Sequence, residues 1–148
     1  MKSILALLAG LMLAVPLGVA PAAQAGEVHR LALQVSDNDP DKMNAALNVA
    51  ANVSRYYTDK GEDVEVVIVA FNAGLHMLRA DTSPVKERLG NFAKSMPNVS
   101  FAACGNTQEA MAKREQKDIP IVPQAKIVPA GVVTLMELSQ KGYTVIRP

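Results

Sequence analysis

The sequence has one cysteine, two histidines and no tryptophan among its 148 residues. With a single cysteine, Cys104, no disulfide can form within the chain and no C-x-x-C redox pair exists. A structural zinc site needs more cysteine and histidine ligands than these residues supply. The fold must therefore be held by packing, and Cys104 is either a free thiol or one that pairs with another molecule.

Sequence motifs for nucleotide cofactors are also missing. Neither G-x-G-x-x-G nor G-x-x-x-x-G-K-[ST] occurs, which argues against a dinucleotide-dependent enzyme and against an NTPase. The formal net charge is +1, and no basic run is interleaved with aromatic residues, so nothing favours nucleic-acid binding. We expect no cofactor and no nucleic-acid partner.

Residues 1–25 have the pattern of an export signal. Lys2 precedes an uncharged apolar run over residues 4–15, and Ala23-Gln24-Ala25 matches the small-x-small cleavage pattern. The run is shorter than the roughly 20 apolar residues that span a membrane, although a retained N-terminal anchor is the alternative. We predict cleavage directly after this tripeptide, a periplasmic or secreted protein without membrane association, and one domain over residues 26–148.

Strand and helix patterns alternate along this domain. The continuously apolar run Val66–Ala70 is typical of a strand covered on both faces, Asp39-Pro40 has the pattern of a helix start, and Asn106 and Glu109 have the spacing of a capping box. Strands separated by helices imply parallel pairing, so we predict a three-layer α/β/α sandwich around a five-stranded, mostly parallel sheet. The predicted strands cover residues 29–36, 64–71, 98–103, 125–128 and 143–146, and the predicted helices cover residues 40–60, 83–96, 106–114 and 131–141.

Loops at the carboxyl ends of the strands are where such a sheet binds ligands. Three predicted loops reach that edge: residues 36–39, which we interpret mainly as turn and cap residues, residues 72–82, and residues 104–107. Cys104 lies where the third strand ends and a helix begins. A helix N-terminus favours the thiolate, which is the nucleophilic form of cysteine. The alternative is a buried cysteine that acts as a small hydrophobic residue.

Two side chains of the second loop are further candidates for the site. His76 can orient a thiolate, bind a metal or transfer protons; the alternative is a histidine that is hydrogen-bonded to a backbone carbonyl. Arg79 can neutralise a thiolate or persulfide, or it can pair with Asp81 to fix the loop. The backbone amides of Gly105, Asn106 and Thr107 are candidates for binding the anion at the helix start.

Four segments of the sequence stand out together: residues 33–40 (LQVSDNDP), 74–81 (GLHMLRAD), 101–107 (FAACGNT) and 128–132 (VPAGV). In this order they resemble the DsrE/DsrF-like sulfur-relay family, in particular its small exported branch, over essentially the whole predicted domain. The resemblance implies a three-layer α/β/α fold and homo- or hetero-oligomeric assembly. It also implies a cysteine at the end of the third strand that carries sulfane sulfur as a persulfide, and Cys104 is at the matching position. An exported member cannot serve tRNA thiolation.

From these observations we predict an exported sulfur carrier that holds sulfane sulfur on Cys104 and binds no metal. It is expected to be a homo-oligomer that exchanges sulfur with an external thiol or a donor or acceptor protein, as a component of sulfur transfer rather than a stand-alone enzyme. The alternative is a non-enzymatic oligomer that binds copper(I) or another ligand, with Cys104 as a ligating or structural residue. Cysteine, histidine and methionine are the soft ligands that suit copper(I).

Overall fold

Five strands and four helices alternate along the chain in the computed structural model, which describes residue 26 and residues 28–148. The predicted export signal lies outside the described residues. None of the helices within the described residues is long and apolar enough to cross a membrane. The elements are β1 (His29–Val35), α1 (Pro40–Asp59), β2 (Val64–Ala70), a 3-10 helix (Asn72–Leu78), α2 (Lys86–Ser95), β3 (Val99–Cys104), α3 (Gly105–Glu115), β4 (Ala125–Val128), α4 (Gly131–Gln140) and β5 (Thr144–Ile146).

The strands form one sheet in the order β4-β3-β2-β1-β5, and every pair of neighbours is parallel. One face carries the larger apolar core, to which α1, α2 and α3 contribute Met43, Leu89 and Met111. The other face carries a smaller cluster under α4, centred on Leu135. The predicted α/β/α sandwich is therefore confirmed, with a sheet that is entirely rather than mostly parallel.

Local sequence accounts for where α1 begins and ends. The Asp39 carboxylate accepts hydrogen bonds from the backbone amides of Asp41 and Lys42 at 2.9 and 3.3 Å. Pro40 occupies the first turn, where its missing N–H is not needed. Gly61 follows the helix with a φ of +71°, which glycine adopts without strain. The predicted start signal and stop signal are both confirmed.

Two predicted boundaries are wrong. Residues 72–78 form a 3-10 helix rather than a loop, which a pattern with a period of 3.6 residues does not indicate. Helix α2 begins at Lys86 rather than at Ser83, because the Ser83 hydroxyl donates to the carbonyl of Met77 at 2.6 Å and accepts from the amide of Val85 at 3.3 Å. These bonds hold the chain in a turn before the helix.

The predicted capping box at the start of α3 is also wrong. Helix α3 begins at Gly105, with Cys104 in the capping position. Asn106 is therefore already inside the helix, and its side chain does not cap it. The consequence for the site is that the thiol itself occupies the position where a capping side chain normally meets the first amides of a helix.

Gly74 holds the 3-10 helix against the end of β1. A Cβ atom at this position would lie 2.7 Å from the amide nitrogen of Ser36 and would overlap the carbonyl of Val35. Because these are backbone atoms, the overlap cannot be relieved by a change of rotamer. The absence of a side chain at Gly74 therefore lets two of the loops at the carboxyl edge of the sheet pack in direct contact.

We predict that Gly74→Ala destabilises the protein by about 2 kcal/mol or more, which is within the range for overpacking a rigid site. Gly90→Ala is the matched control, because Gly90 lies within α2 and an added Cβ meets nothing within 4 Å. The control should raise the free energy of unfolding by about 0.5–1 kcal/mol, since alanine is the better helix former. Denaturant unfolding measures both values, and equal changes for the two variants would contradict the packing role of Gly74.

Candidate functional site

The start of two helices meets the end of a central strand at Cys104. In the sheet register Cys104 is opposite Val128, the last residue of β4. Helix α3 begins at Gly105, directly after the cysteine, and α4 begins at Gly131, shortly after Val128. The Cys104 side chain packs in the cluster under α4, and the residue is 5% exposed. A nearly buried thiol thus lies beside two helix N-termini, each with a partial positive charge.

Two opposing effects act on the pKa of Cys104. Burial raises it, since it disfavours the charged form, but hydrogen bonds from the Thr107 hydroxyl and from the amides of Gly131, Thr107 and Asn106 lower it, and the net pKa is below the ordinary value of 9.0. The Cys104 side chain makes no capping hydrogen bond to α3. The lowered pKa is therefore attributed to the donors together rather than to one capping bond.

The starts of α3 and α4 are tied to each other. The amide of Asn106 donates to the carbonyl of Pro129 at 3.1 Å. Gly131 packs against Phe71 so closely that a Cβ atom would lie 2.9 Å from the Cβ of Phe71. Because Gly131 has no side chain, the first turn of α4 comes close enough to the sheet for its amide to face the sulfur of Cys104.

Thr107 connects the thiol to the 3-10 helix. Its hydroxyl oxygen accepts a hydrogen bond from the backbone amide of Asn72 at 3.0 Å, and the same hydroxyl is a donor that lowers the pKa of Cys104. Asn72 has a φ of +49°, a left-handed conformation that asparagine tolerates better than most residues. The amide of Asn72 thus occupies one lone pair of the Thr107 hydroxyl and leaves its hydrogen for the thiolate.

A cleft of about 460 Å³ lies at the same edge of the sheet, between the 3-10 helix and α3. His76 is one of its lining residues; it is partly buried, and its Nδ1 is 3.3 Å from the hydroxyl of Thr82. Thr107 is shared by this cleft and the thiol. We call it the carboxyl-edge cleft, and its lining residues are Asn38, Asn72, Ala73, His76, Asn106, Thr107, Ala110, Met111 and Arg114.

Arg79 is buried in an ion-pair network rather than directed at the thiol. Its guanidinium donates to both carboxylate oxygens of Asp81 at 2.9 and 2.8 Å and to both of Glu115 at 2.6 and 2.9 Å. Only 1% of the Arg79 side chain is exposed. The predicted pairing with Asp81 is confirmed, and Glu115 at the end of α3 is a second partner that the sequence did not indicate. Because these four bonds occupy the guanidinium, Arg79 is not available to pair with the Cys104 thiolate.

The network shifts the pKa values of its members in the directions that ion pairing requires. Asp81 and then Glu115 raise the pKa of the Arg79 guanidinium above its ordinary value. In turn, hydrogen bonds from Arg79 hold the pKa of Asp81 and that of Glu115 below the ordinary values of 3.8 and 4.5. All three groups are therefore charged at neutral pH, and they fasten the segment after the 3-10 helix to the end of α3.

The structure brings together most of the predicted site residues and adds others. The amides named as lowering the pKa of Cys104 are those of Asn106, Thr107 and Gly131, while Gly105 begins α3 and is not among them. Asn38, interpreted from sequence as a turn residue, lines the carboxyl-edge cleft. Among the described residues, no group of three or more histidine, cysteine, aspartate and glutamate side chains is placed to hold a metal ion.

Comparison with known proteins supports the fold and gives no function. No family model matches the chain, and no curated protein matches it either. Among solved structures, it is similar to a protein of unknown function from Methanobacterium thermoautotrophicum, with 25% sequence identity and a TM-score of 0.64. The match covers 81% of this chain and 99% of the archaeal one, so the two proteins share the α/β architecture over nearly the whole of the smaller chain.

We predict that Thr107→Val raises the pKa of the Cys104 thiol, because valine has no hydroxyl to offset the effect of burial. Thr107→Ser keeps the donor and should leave the pKa close to that of the native protein. The pH dependence of the rate at which iodoacetamide alkylates Cys104 measures the value in each variant. An unchanged pKa in Thr107→Val would show that the hydroxyl does not stabilise the thiolate.

We predict that Arg79→Met lowers the free energy of unfolding at neutral pH by about 2–3 kcal/mol, somewhat less than for a fully buried ion pair because the carboxylates remain partly hydrated. Arg55→Met, at an exposed position on α1, is the matched control and should change stability little.

The pH dependence of this effect follows from the lowered pKa values of Asp81 and Glu115. A carboxylate with a lowered pKa contributes stability that is fully present above its unfolded pKa and is lost as the pH falls through the folded value. The difference between the native protein and Arg79→Met should therefore be constant above about pH 5 and shrink below about pH 4. Urea unfolding across this range tests it, and a difference that does not depend on pH would contradict the ion-pair account.

Proposed function

We propose that this protein carries sulfane sulfur as a persulfide on Cys104 and passes it to an external thiol. The observation that carries the proposal is the position of the chain's one thiol at the junction of α3 and α4, where four donors lower its pKa against the effect of burial. A thiolate at neutral pH is what nucleophilic attack on sulfur requires. The resemblance of the sequence to the DsrE/DsrF-like family supports the same chemistry at the same residue.

Loading of sulfur is a substitution at a sulfane sulfur atom. The Cys104 thiolate attacks the outer sulfur of a donor R–S⁻, in which R is a leaving group such as sulfonate. A new S–S bond joins Cys104 to that outer sulfur, and the bond between the outer sulfur and R breaks, with its electron pair leaving on R. For thiosulfate, Cys–S⁻ and S–SO₃²⁻ give Cys–S–S⁻ and SO₃²⁻, which balances atoms and charge without another oxidant.

In thiosulfate, the bond that forms joins the Cys104 sulfur to the outer sulfur, and the bond that breaks joins that outer sulfur to the sulfonate sulfur. The electron pair of the broken bond leaves with sulfite. Unloading reverses the roles: an external thiolate R′–S⁻ attacks the outer sulfur of Cys–S–SH, giving R′–S–SH and the Cys104 thiolate. Since Cys104 is the one cysteine of the chain, the thiol that accepts the sulfur belongs to another molecule. The protein is thus a carrier that needs partners rather than a stand-alone enzyme.

We also propose that the carrier is a homo-oligomer assembled without a disulfide. The outer face of α4 supports this assembly, because Val132, Val133 and Met136 are 52%, 50% and 58% exposed. Neighbouring exposed apolar side chains of this kind are common at protein–protein interfaces. Cys104 itself is nearly buried, which places it poorly for a bridge to a second copy.

The location of the carrier is the remaining part of the proposal. The pattern in residues 1–25 supports export and cleavage after Ala25, which would leave a periplasmic or secreted protein. In such a compartment disulfides form readily. A lone thiol that is nearly buried and makes no bridge is therefore more unusual in an exported protein than in a cytoplasmic one.

One observation favours the alternative, a structural role for Cys104. Its side chain belongs to the apolar cluster with Ala102 and Leu135, and a buried cysteine often serves as a small hydrophobic residue. The two roles predict different effects of replacing the cysteine. A packing residue is needed for stability and is chemically inert, whereas a carrier residue is needed for chemistry.

We predict that Cys104→Ser folds with a stability near that of the native protein and takes up no sulfur from thiosulfate or polysulfide. Intact-mass spectrometry, without reductant, should show the added mass of one sulfur atom on the native protein only. Ser100→Ala, on the same strand, is the matched control and should load sulfur normally.

The intact mass of the protein exported by its host also tests the proposed cleavage, because it reports whether residues 1–25 have been removed.

Two results would contradict the carrier proposal. If Cys104→Ser unfolds, the cysteine is a packing residue. If the variant folds and still gains the mass of sulfur, the sulfur is bound elsewhere.

A further inference from the structure

The carboxyl-edge cleft carries an unusual set of polar groups. Its lining includes the side-chain amides of Asn38, Asn72 and Asn106, and none of these three amides has a hydrogen-bond partner within the described part of the chain. His76 uses Nδ1 toward Thr82, which leaves Nε2 without a protein partner among the described residues. Several hydrogen-bonding groups thus line one space and have no partners among the residues that the structure describes.

The charge of the cleft is positive. Arg114 is the one lining residue with a permanent charge, and it makes no ion pair with any of the residues that the structure describes. Three carboxylates of the neighbouring segments are engaged: Asp37 pairs with Lys42 and Arg147, and Asp81 and Glu115 pair with Arg79 as described above. Glu109 of α3 is exposed and lies outside the lining of the cleft. No carboxylate lines the cleft itself, so an anion there meets attraction without an opposing charge on the lining.

The cleft is also joined to the thiol. Thr107 lines the cleft and belongs to the first turn of α3, which Cys104 directly precedes. Its hydroxyl is one of the donors that lower the pKa of Cys104, so the cleft and the thiol are separated by one side chain. A volume of about 460 Å³ is within the range of sites for small organic molecules.

We propose that the carboxyl-edge cleft binds the anionic part of the sulfur donor, so that the donors used by this protein are small sulfane-sulfur compounds with a negatively charged group. This inference rests on the proposed function of Cys104 and adds the class of its substrate. Arg114 supplies the charge, and the asparagine amides together with Nε2 of His76 supply hydrogen bonds to the anion. The anionic group then lies one side chain away from the sulfur that attacks.

Alkylation of Cys104 in the native protein by iodoacetate and by iodoacetamide tests this inference separately from sulfur transfer. Both reagents react with the thiolate at the same kind of carbon atom, so the thiol pKa cancels from the ratio of their rates. One reagent is an anion and the other is neutral. Compared with a free small thiol, the native protein should favour iodoacetate by about fivefold, the factor for one charge pair at about 4 Å in water.

Two variants on α3 provide the comparison. Arg114→Gln should return the ratio of the two rates to that of the free thiol. Lys113→Gln removes the same charge from the neighbouring exposed position, which does not line the cleft, and should keep the native ratio. Sodium chloride should lower the native ratio, because salt screens charges at an accessible site.

The possible failures are distinguishable. If both reagents alkylate Cys104 with the ratio of a free thiol, or if Lys113→Gln lowers the ratio as much as Arg114→Gln does, the anion site is refuted and the carrier function stands. If neither reagent alkylates Cys104 in the folded protein, the thiol is inert, and the carrier function and the anion site are both refuted.

Discussion

On the proposed function, a thiolate that is almost removed from water is the constraint on which this site depends. A buried charge without partners is strongly unfavourable, and Cys104 lies among the apolar side chains under α4. Donors on two separate helices offset that penalty, so the starts of α3 and α4 have to stay in register with each other. The bond from Asn106 to Pro129 and the close contact of Gly131 with Phe71 serve this requirement. Features that look like ordinary packing are thus conditions for the chemistry.

The ion-pair network of Arg79 contributes to the same site from a distance. It fastens the segment after the 3-10 helix to the end of α3. The 3-10 helix and α3 form the walls of the carboxyl-edge cleft. It also engages two carboxylates that would otherwise lie near the cleft without a cation. Arg79 therefore shapes the electrostatics of the site by pairing with these two carboxylates, while on the proposed anion site the exposed Arg114 is the charge that a ligand in the cleft meets.

The sequence predicted those parts of the molecule that depend on local patterns. The apolar run in β2 and the Asp39-Pro40 start of α1 depend on neighbouring residues, and so does the position of Cys104 between a strand and a helix. The sequence did not predict contacts between distant segments. Arg79 pairs with Glu115, which lies 36 positions away, and Gly131 approaches Cys104 from a different helix. The 3-10 helix was missed for another reason, since its short, tight turns carry no helical periodicity.

Sulfur loading also changes how accessible the reactive atom is. The unloaded thiol is 5% exposed, which protects a lone cysteine from bridging to other thiols in an oxidising compartment. On the proposed function, the reactive atom of the persulfide is the outer sulfur, which is about 2 Å from the Cys104 sulfur because of the added S–S bond. An acceptor thiol therefore needs to reach a less recessed atom in the loaded protein than in the empty one. Burial of Cys104 and its use as a carrier are compatible for this reason, because the atom that is passed on is not the atom that is buried.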